Sequence, residues 1–236
     1  MRPGTPLTPG ERRLAVAAVV ALAWYVTSWA VGGVLEDDYD PADQAISELF
    51  DLAASTAPRL LISSGLLVSA LGLIGFGWLL HRRLPGSSPL GPAAVVGSGI
   101  ATGLILAFPC TAGCPGLGTT WTDTGHGVLA TVGYGLLVLA PLLIGWRIRP
   151  ALPVLASWCW ALGGAALAVF LVNQAGLLGW GTGIAQRVFN TTADVWYVVA
   201  AVWLLRGQHL SAHAEAAGLG RGRDRPPRRQ RPGADP

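Results

Sequence analysis

Six stretches of this chain are long, apolar and almost free of charge: residues 14–35, 60–80, 90–108, 127–145, 151–172 and 188–205, each 18 to 22 residues long. A helix rises about 1.5 Å per residue, so roughly 20 apolar residues cross the roughly 30 Å hydrocarbon core of a bilayer. The six runs take up about half of the 236 residues. Charged residues are 12% of the chain against 52% hydrophobic, about half the charge share of an ordinary water-soluble domain. The pattern predicts an all-α integral membrane bundle of six transmembrane helices. It leaves no room for a soluble catalytic domain, so any activity must be built at helix ends or inside the bundle. Three regions follow: an N-terminal segment 1–13, a transmembrane domain 14–205 and a tail 206–236.

All sixteen basic residues are arginine, and their distribution orients the bundle. Arg2, Arg12 and Arg13 precede the first run, Arg82 and Arg83 follow the second, Arg147 and Arg149 follow the fourth, and Arg206 with six tail arginines follows the sixth. Only Arg59 and Arg187 fall on the opposite side. Cytoplasmic loops collect basic residues, so both termini are expected in the cytoplasm. The first outer loop is acidic, with Glu36, Asp37, Asp38, Asp40, Asp43, Glu48 and Asp51. The net charge of +3 reflects this asymmetry, and no nucleic-acid partner is called for. The first run is too long for a secretory signal core and reads as a retained helix. Arginine without lysine points to a GC-rich bacterial genome, hence to a bacterial cytoplasmic membrane.

The tail has almost no large apolar residues and is expected to be disordered, its arginines meeting anionic lipid headgroups. His209 and His213 there stand four apart, a spacing that suits a metal on a helix face, but in a very polar segment. Gly65-x-x-x-Ser69, Gly99-x-x-x-Gly103 and Gly163-Gly164 are expected to let helices approach closely. Pro92, Pro141 and Pro153 are expected near helix ends, and Trp24, Trp29, Trp78, Trp146, Trp180 and Trp203 form an interfacial belt.

Chemistry concentrates on the outer side. Asp40-Pro41 reads as a helix start. From it Ile46, Leu49, Phe50 and Ala53 share one face while Asp43, Ser47 and Asp51 share the other, the pattern of a short amphipathic helix lying on the surface between the first two spans. In the second outer loop Cys110 and Cys114 flank a Gly-containing turn. A disulfide, free thiols and metal ligands all stay open for them; a metal site would want further ligands at motif spacing. Asp123 and His126, three apart, can share a rim of the fourth helix, where two readings stay open: a structural pairing that caps the helix, or an imidazole beside a carboxylate as the minimal equipment for proton transfer, nucleophile activation or metal ligation. On the sixth helix Gln186, Asn190 and Asp194 align at steps of four. A bare carboxylate inside a bilayer costs at least about 3 kcal/mol, so Asp194 is expected to face the interior and either find a partner, with Arg187 and His126 as candidates, or bind a proton.

Ile46-Ser47-Glu48-Leu49, Phe108-Pro109-Cys110, His126, Gln186-Arg187-Val188 and Asp194-Val195-Trp196, in this order, resemble the bacterial domain-of-unknown-function 998 family of six-helix membrane proteins. The resemblance covers about residues 14–205 and implies a fold and a membrane location, with no agreed activity. The matching polar positions are Ser47, Glu48, His126, Arg187 and Asp194. A more distant similarity is to membrane-embedded metal hydrolases of the ceramidase and progestin-receptor group, which combine Ser, Asp and His in a helix bundle. Those have seven helices and a histidine pair in the last, whereas here only His126 lies on the outer half, and no metal site is assigned.

Three functional readings follow. The first is an integral membrane protein of unassigned activity whose outer cluster, Glu48, His126, Gln186, Arg187, Asn190 and Asp194, recognises a lipid headgroup, small ligand or partner protein. The second is an outer-face hydrolase or transferase acting on a lipid-linked substrate, with Asp123 and His126 as acid/base pair, Ser47 as nucleophile, and Glu48 or Asp194 as orienting group. The third is a proton-coupled transporter titrating at Asp194, a reading to which a homodimer belongs. None implies a particular cofactor.

Overall fold

The computed structural model describes residues 6–115, 119–177 and 181–216, with side chains through Gly207. Trp180, the side chains of His209 and His213, and the tail from 217 onward lie outside the described residues.

Helix boundaries follow from local chemistry. α1 (Pro9–Leu35) starts with Pro9 in its first turn and a capping box, in which the Thr8 hydroxyl accepts from the Glu11 N–H and the Glu11 carboxylate accepts from the Thr8 N–H. These contacts satisfy amide donors that a helix start leaves unpaired. α2 (Thr56–Arg83) ends on His81, Arg82 and Arg83, cations placed at the negative end of the helix dipole. α3 (Leu90–Leu104) tightens into a 3-10 turn at Ile105–Ala107. α4 (Trp121–Ile148) is capped by Thr120, and α5 (Pro153–Gln174) begins on a proline that needs no donor there. α6 (Thr182–Ala216) continues past Leu205, through residues the sequence assigned to a disordered tail. Its extension, with Leu210, Ala212, Ala214 and Ala216, is rich in good helix formers.

The described residues are all-α, and six helices are long and apolar enough to cross a membrane. Each helix packs on the next in the chain, and α6 closes the bundle by packing on α1 and touching α4. Large apolar side chains such as Val20, Leu60, Leu71 and Val154 remain exposed on the outside, where acyl chains would cover them. Small residues fill the contacts between helices. A Cβ on Gly99 would stand 2.8 Å from the Ala70 carbonyl oxygen of α2, so only glycine permits that approach. Gly163 likewise admits Pro141, whereas Gly164 has open space beside it. Pro141 corrects an expectation: it lies inside α4, buried, and well short of the helix end. The notch at Gly163 houses the ring.

One end of the bundle gathers the arginine-bearing loops. There Arg83 Nε donates to Glu11 Oε1 at 2.8 Å and the two side chains form an ion pair, tying α2 to the start of α1. Arg147, counted in the sequence as a loop charge, is buried and donates to four backbone carbonyls: Pro85, Ser88, His81 and Leu84, at 2.8–3.1 Å. It fastens α4 to the α2–α3 connection. Gly86 in that connection has φ 88°, with the Arg147 carbonyl 2.7 Å from where a Cβ would stand.

The other end gathers the acidic loop, and there the short helix between the first two spans is tighter and shorter than its spacing suggests. Asp40 accepts from Ala42 N–H in a local turn, and only Ile46–Phe50 is helical, as a five-residue 3-10 segment. Ile46, Leu49 and Phe50 are buried as expected, but Ala53 is exposed and Asp51 is buried. Asp51 reverses sides because its carboxylate has work inside: Oδ1 accepts from Ala53 and Ala54 N–H, and Oδ2 from Gly113 N–H of the second loop. The segment plugs the bundle end instead of lying on a surface.

Candidate functional site

The polar stripe on α6 forms as its spacing requires. Gln186, Asn190 and Asp194 are all buried on one face. Twelve residues separate Asp194 from the first residue of α6, roughly 18 Å of helix rise, so the carboxylate sits deep in the bundle. Gln186 Oε1 accepts from Ile46 N–H at 2.6 Å while its amide donates to the Tyr134 hydroxyl at 2.9 Å. Asn190 donates to the Tyr25 hydroxyl at 2.9 Å.

Asp194 is different. Among the described residues no side chain or backbone N–H donates to its carboxylate, and no cation pairs with it. It lines a cavity together with Tyr25, Ser69, Ser98, Thr102 and Asn190. The volume is about 40 Å³; a water needs about 10–15 Å³ on this measure. A second cavity of about 140 Å³ lies toward the acidic-loop end, lined by Ser47, Cys110, Cys114, Asp123, His126 and Gln186 among others. Tyr25, Leu66, Ile105, Ala130 and Tyr134 border both, so the two cavities adjoin and share a wall, and together they make the polar cleft whose inner part reaches Asp194. Below it Leu22, Leu73, Phe76, Leu137 and Tyr197 belong to the main apolar core.

The expected partners of Asp194 are engaged elsewhere. Arg187 donates from Nη1 to the Gln44 and Gly183 carbonyls and from Nη2 to the Tyr39 hydroxyl, and its guanidinium lies over the rings of Trp29 and Tyr39. Its Nε is buried without a partner among the described residues. This clamps the acidic loop onto α6. Burial pushes the Tyr39 phenol pKa up, against the opposing pull of Arg187. His126 Nδ1 bonds the Phe108 carbonyl at 2.9 Å and its ring stacks on Phe50.

Among the described residues no hydrogen bond joins Asp123 to His126. The Asp123 carboxylate accepts from the Thr111 N–H and from the hydroxyls of Thr111 and Thr120, the work of a helix cap that also pins the second loop. Glu48 is also engaged: Oε1 accepts from Ala45 N–H and Oε2 from the Gln44 amide. Ser47 does line the outer cavity. Cys110 and Cys114 are joined as a disulfide beside it, and Cys159 is buried, its sulfur accepting from the Trp196 indole at 3.1 Å.

Tyr25, Tyr134, Ser98 and Thr102 escape the sequence reading because they are scattered singly or in a pair through otherwise apolar runs. Ser98 and Thr102, four apart on α3, carried the one faint signal. Ser69, read as a packing residue, lines the inner cavity.

Chemically, the cleft offers a carboxyl ringed by neutral hydroxyls and an amide. Such a group takes a hydrogen-bond-donating cation or binds a proton. A family described as a protein of unknown function, DUF998, matches residues 19–203. No curated protein and no solved structure matches the chain.

Proposed function

Since the chain belongs to the DUF998 family, whose description names no activity, we propose on the geometry of the cleft that this membrane protein binds a small cationic hydrogen-bond donor, of the size of a simple primary amine, inside its helix bundle. The observation that carries this is Asp194: a buried carboxyl group with no partner among the described residues, lining a polar cavity. Tyr25, Asn190, Ser69 and Ser98 orient the guest, and Asp194 supplies the charge that discriminates a cation from a neutral solute. Access runs past His126 and Gln186 from the acidic-loop end, which faces outward in this reading, with both termini in the cytoplasm of a bacterial cell and residues 206–236 along anionic headgroups.

The apolar floor of the cleft favours binding over passage in this conformation. In a hydrolase reading Asp123 and Glu48 would have to act while engaged with Thr111, Thr120, Ala45 and Gln44, so the geometry favours Asp194 as the centre of the site. The test is a thermal-stability titration of the protein in detergent with methylammonium, ethanolamine and choline. Methylammonium or ethanolamine is expected to raise the melting temperature of wild type but not of Asp194→Asn. Equal shifts in both proteins, or none in wild type, would overturn the proposal.

A further inference from the structure

The outer cavity carries a second feature that the Asp194 proposal does not use. Cys110, Cys114 and His126 each present a donor atom, and the three lie within 4.8 Å of one another. We infer that reduction of the Cys110–Cys114 bond opens a three-ligand site for a zinc-class dication at the mouth of the cleft.

The ligand set suits such an ion: two thiolates and one imidazole, with distances of about 2.3 Å to sulfur and 2.0–2.1 Å to nitrogen, fit donor atoms grouped within that radius. The sequence lacked this third ligand because His126 is distant in the chain and belongs to another element. One nitrogen of its ring is held by the backbone, which leaves the other for a metal. With Nδ1 hydrogen-bonded to the Phe108 carbonyl, the proton resides on Nδ1 and the lone pair is offered at Nε2, the arrangement by which metal-binding histidines are held. Phe50 stacks on the ring, with centroids 6.4 Å apart.

The cysteine loop has supports that do not involve the sulfur–sulfur bond. Thr111 is pinned to Asp123, Gly113 N–H to Asp51, Cys114 N–H to Thr111, and the Cys110 carbonyl accepts from Leu52 N–H. Breaking the disulfide therefore leaves both cysteines close to where they stand. Two thiolates cancel the charge of a dication, which suits a site where Cys110 and His126 are buried. Three protein ligands with a fourth position facing the 140 Å³ cavity define an open site, ready for water or a ligand atom.

The conversion balances. A dithiol gives two electrons and two protons to the disulfide, becoming a disulfide itself. The two thiols then lose their protons to solvent as the dication binds. Reduction switches the metal site on and oxidation expels the ion, whatever occupies the inner cavity around Asp194.

The experiment uses full-length protein in detergent, with and without reduction by a trialkyl phosphine, titrated with Co²⁺ as a coloured stand-in for zinc. Reduced wild type is expected to show thiolate-to-cobalt charge-transfer absorption that saturates at one equivalent and is displaced by Zn²⁺, while oxidised protein shows none. His126→Ala should weaken Co²⁺ binding by more than about tenfold, and Cys159→Ala should leave it unchanged. No absorption in reduced wild type would overturn the site, as would absorption that survives in Cys110→Ser or vanishes in Cys159→Ala.

Discussion

Gln186 and Ile46, 140 residues apart in sequence, are joined by a 2.6 Å hydrogen bond from the Ile46 N–H to the Gln186 side-chain oxygen. The bond makes the start of α6 the anchor for the 3-10 plug, and the same amide reaches Tyr134 on α4. The acidic loop, α4 and α6 are thereby held through one side chain.

Gln186→Leu removes both bonds and strands the Ile46 N–H in a buried place. A buried unpaired donor costs about 1–3 kcal/mol, so the melting temperature should fall. Protease cleavage within residues 36–55 should speed up as the plug loosens. Unchanged cleavage would mean that Arg187 and Tyr39 hold the loop alone.

Arg147→Ala should destabilise the protein by at least about 2–3 kcal/mol, because four carbonyls at the end of α2 and in the α2–α3 connection lose a charged donor. Arg147→Lys should recover only part of this: an ammonium donates from one point and cannot reproduce the spread of a guanidinium. Thermal unfolding of the three proteins in detergent checks the order wild type, Lys, Ala.

Asp194→Asn should leave the melting temperature in ligand-free buffer unchanged or raise it. The substitution keeps the shape, removes a group that is costly to ionise in a low-dielectric interior, and breaks no ion pair. A marked fall in stability would show that the carboxylate has a protein partner.

Asp37→Cys, on the acidic loop, should react with a membrane-impermeant maleimide in intact cells, and Ser87→Cys, in the α2–α3 connection, only after lysis. The native cysteines give little background, two being bonded and the third buried. The reverse labelling pattern would invert the orientation drawn from the arginines.

Within the bundle, legibility depended on whether a signal was local. Gln186, Asn190 and Asp194 were readable as one buried face because helix periodicity alone aligns them. Asp51 was misread for the complementary reason: amphipathic spacing placed it outward, while a backbone N–H at Gly113, in another loop, drew it inward. Asp123 and His126 carried the right spacing for a pair, yet Thr111 and the Phe108 carbonyl, both from the loop before α4, engaged them first.

From the chain alone came the number of spans, their approximate limits, the asymmetry of charge and the depth of Asp194. These follow from one-dimensional facts: the thickness of a bilayer, the rise of a helix and the cost of moving charge into hydrocarbon. The tertiary structure decided which polar groups are already satisfied. Arg187 clamps a loop, Arg147 binds four carbonyls, Glu48 and Asp123 cap turns and helices, and Asp194 alone among the expected site carboxylates faces open space without a donor. Hydrogen bonding is short-ranged and saturable, so a partner a few ångströms away outweighs any pattern along the chain, and only the packed bundle determines which partner arrives.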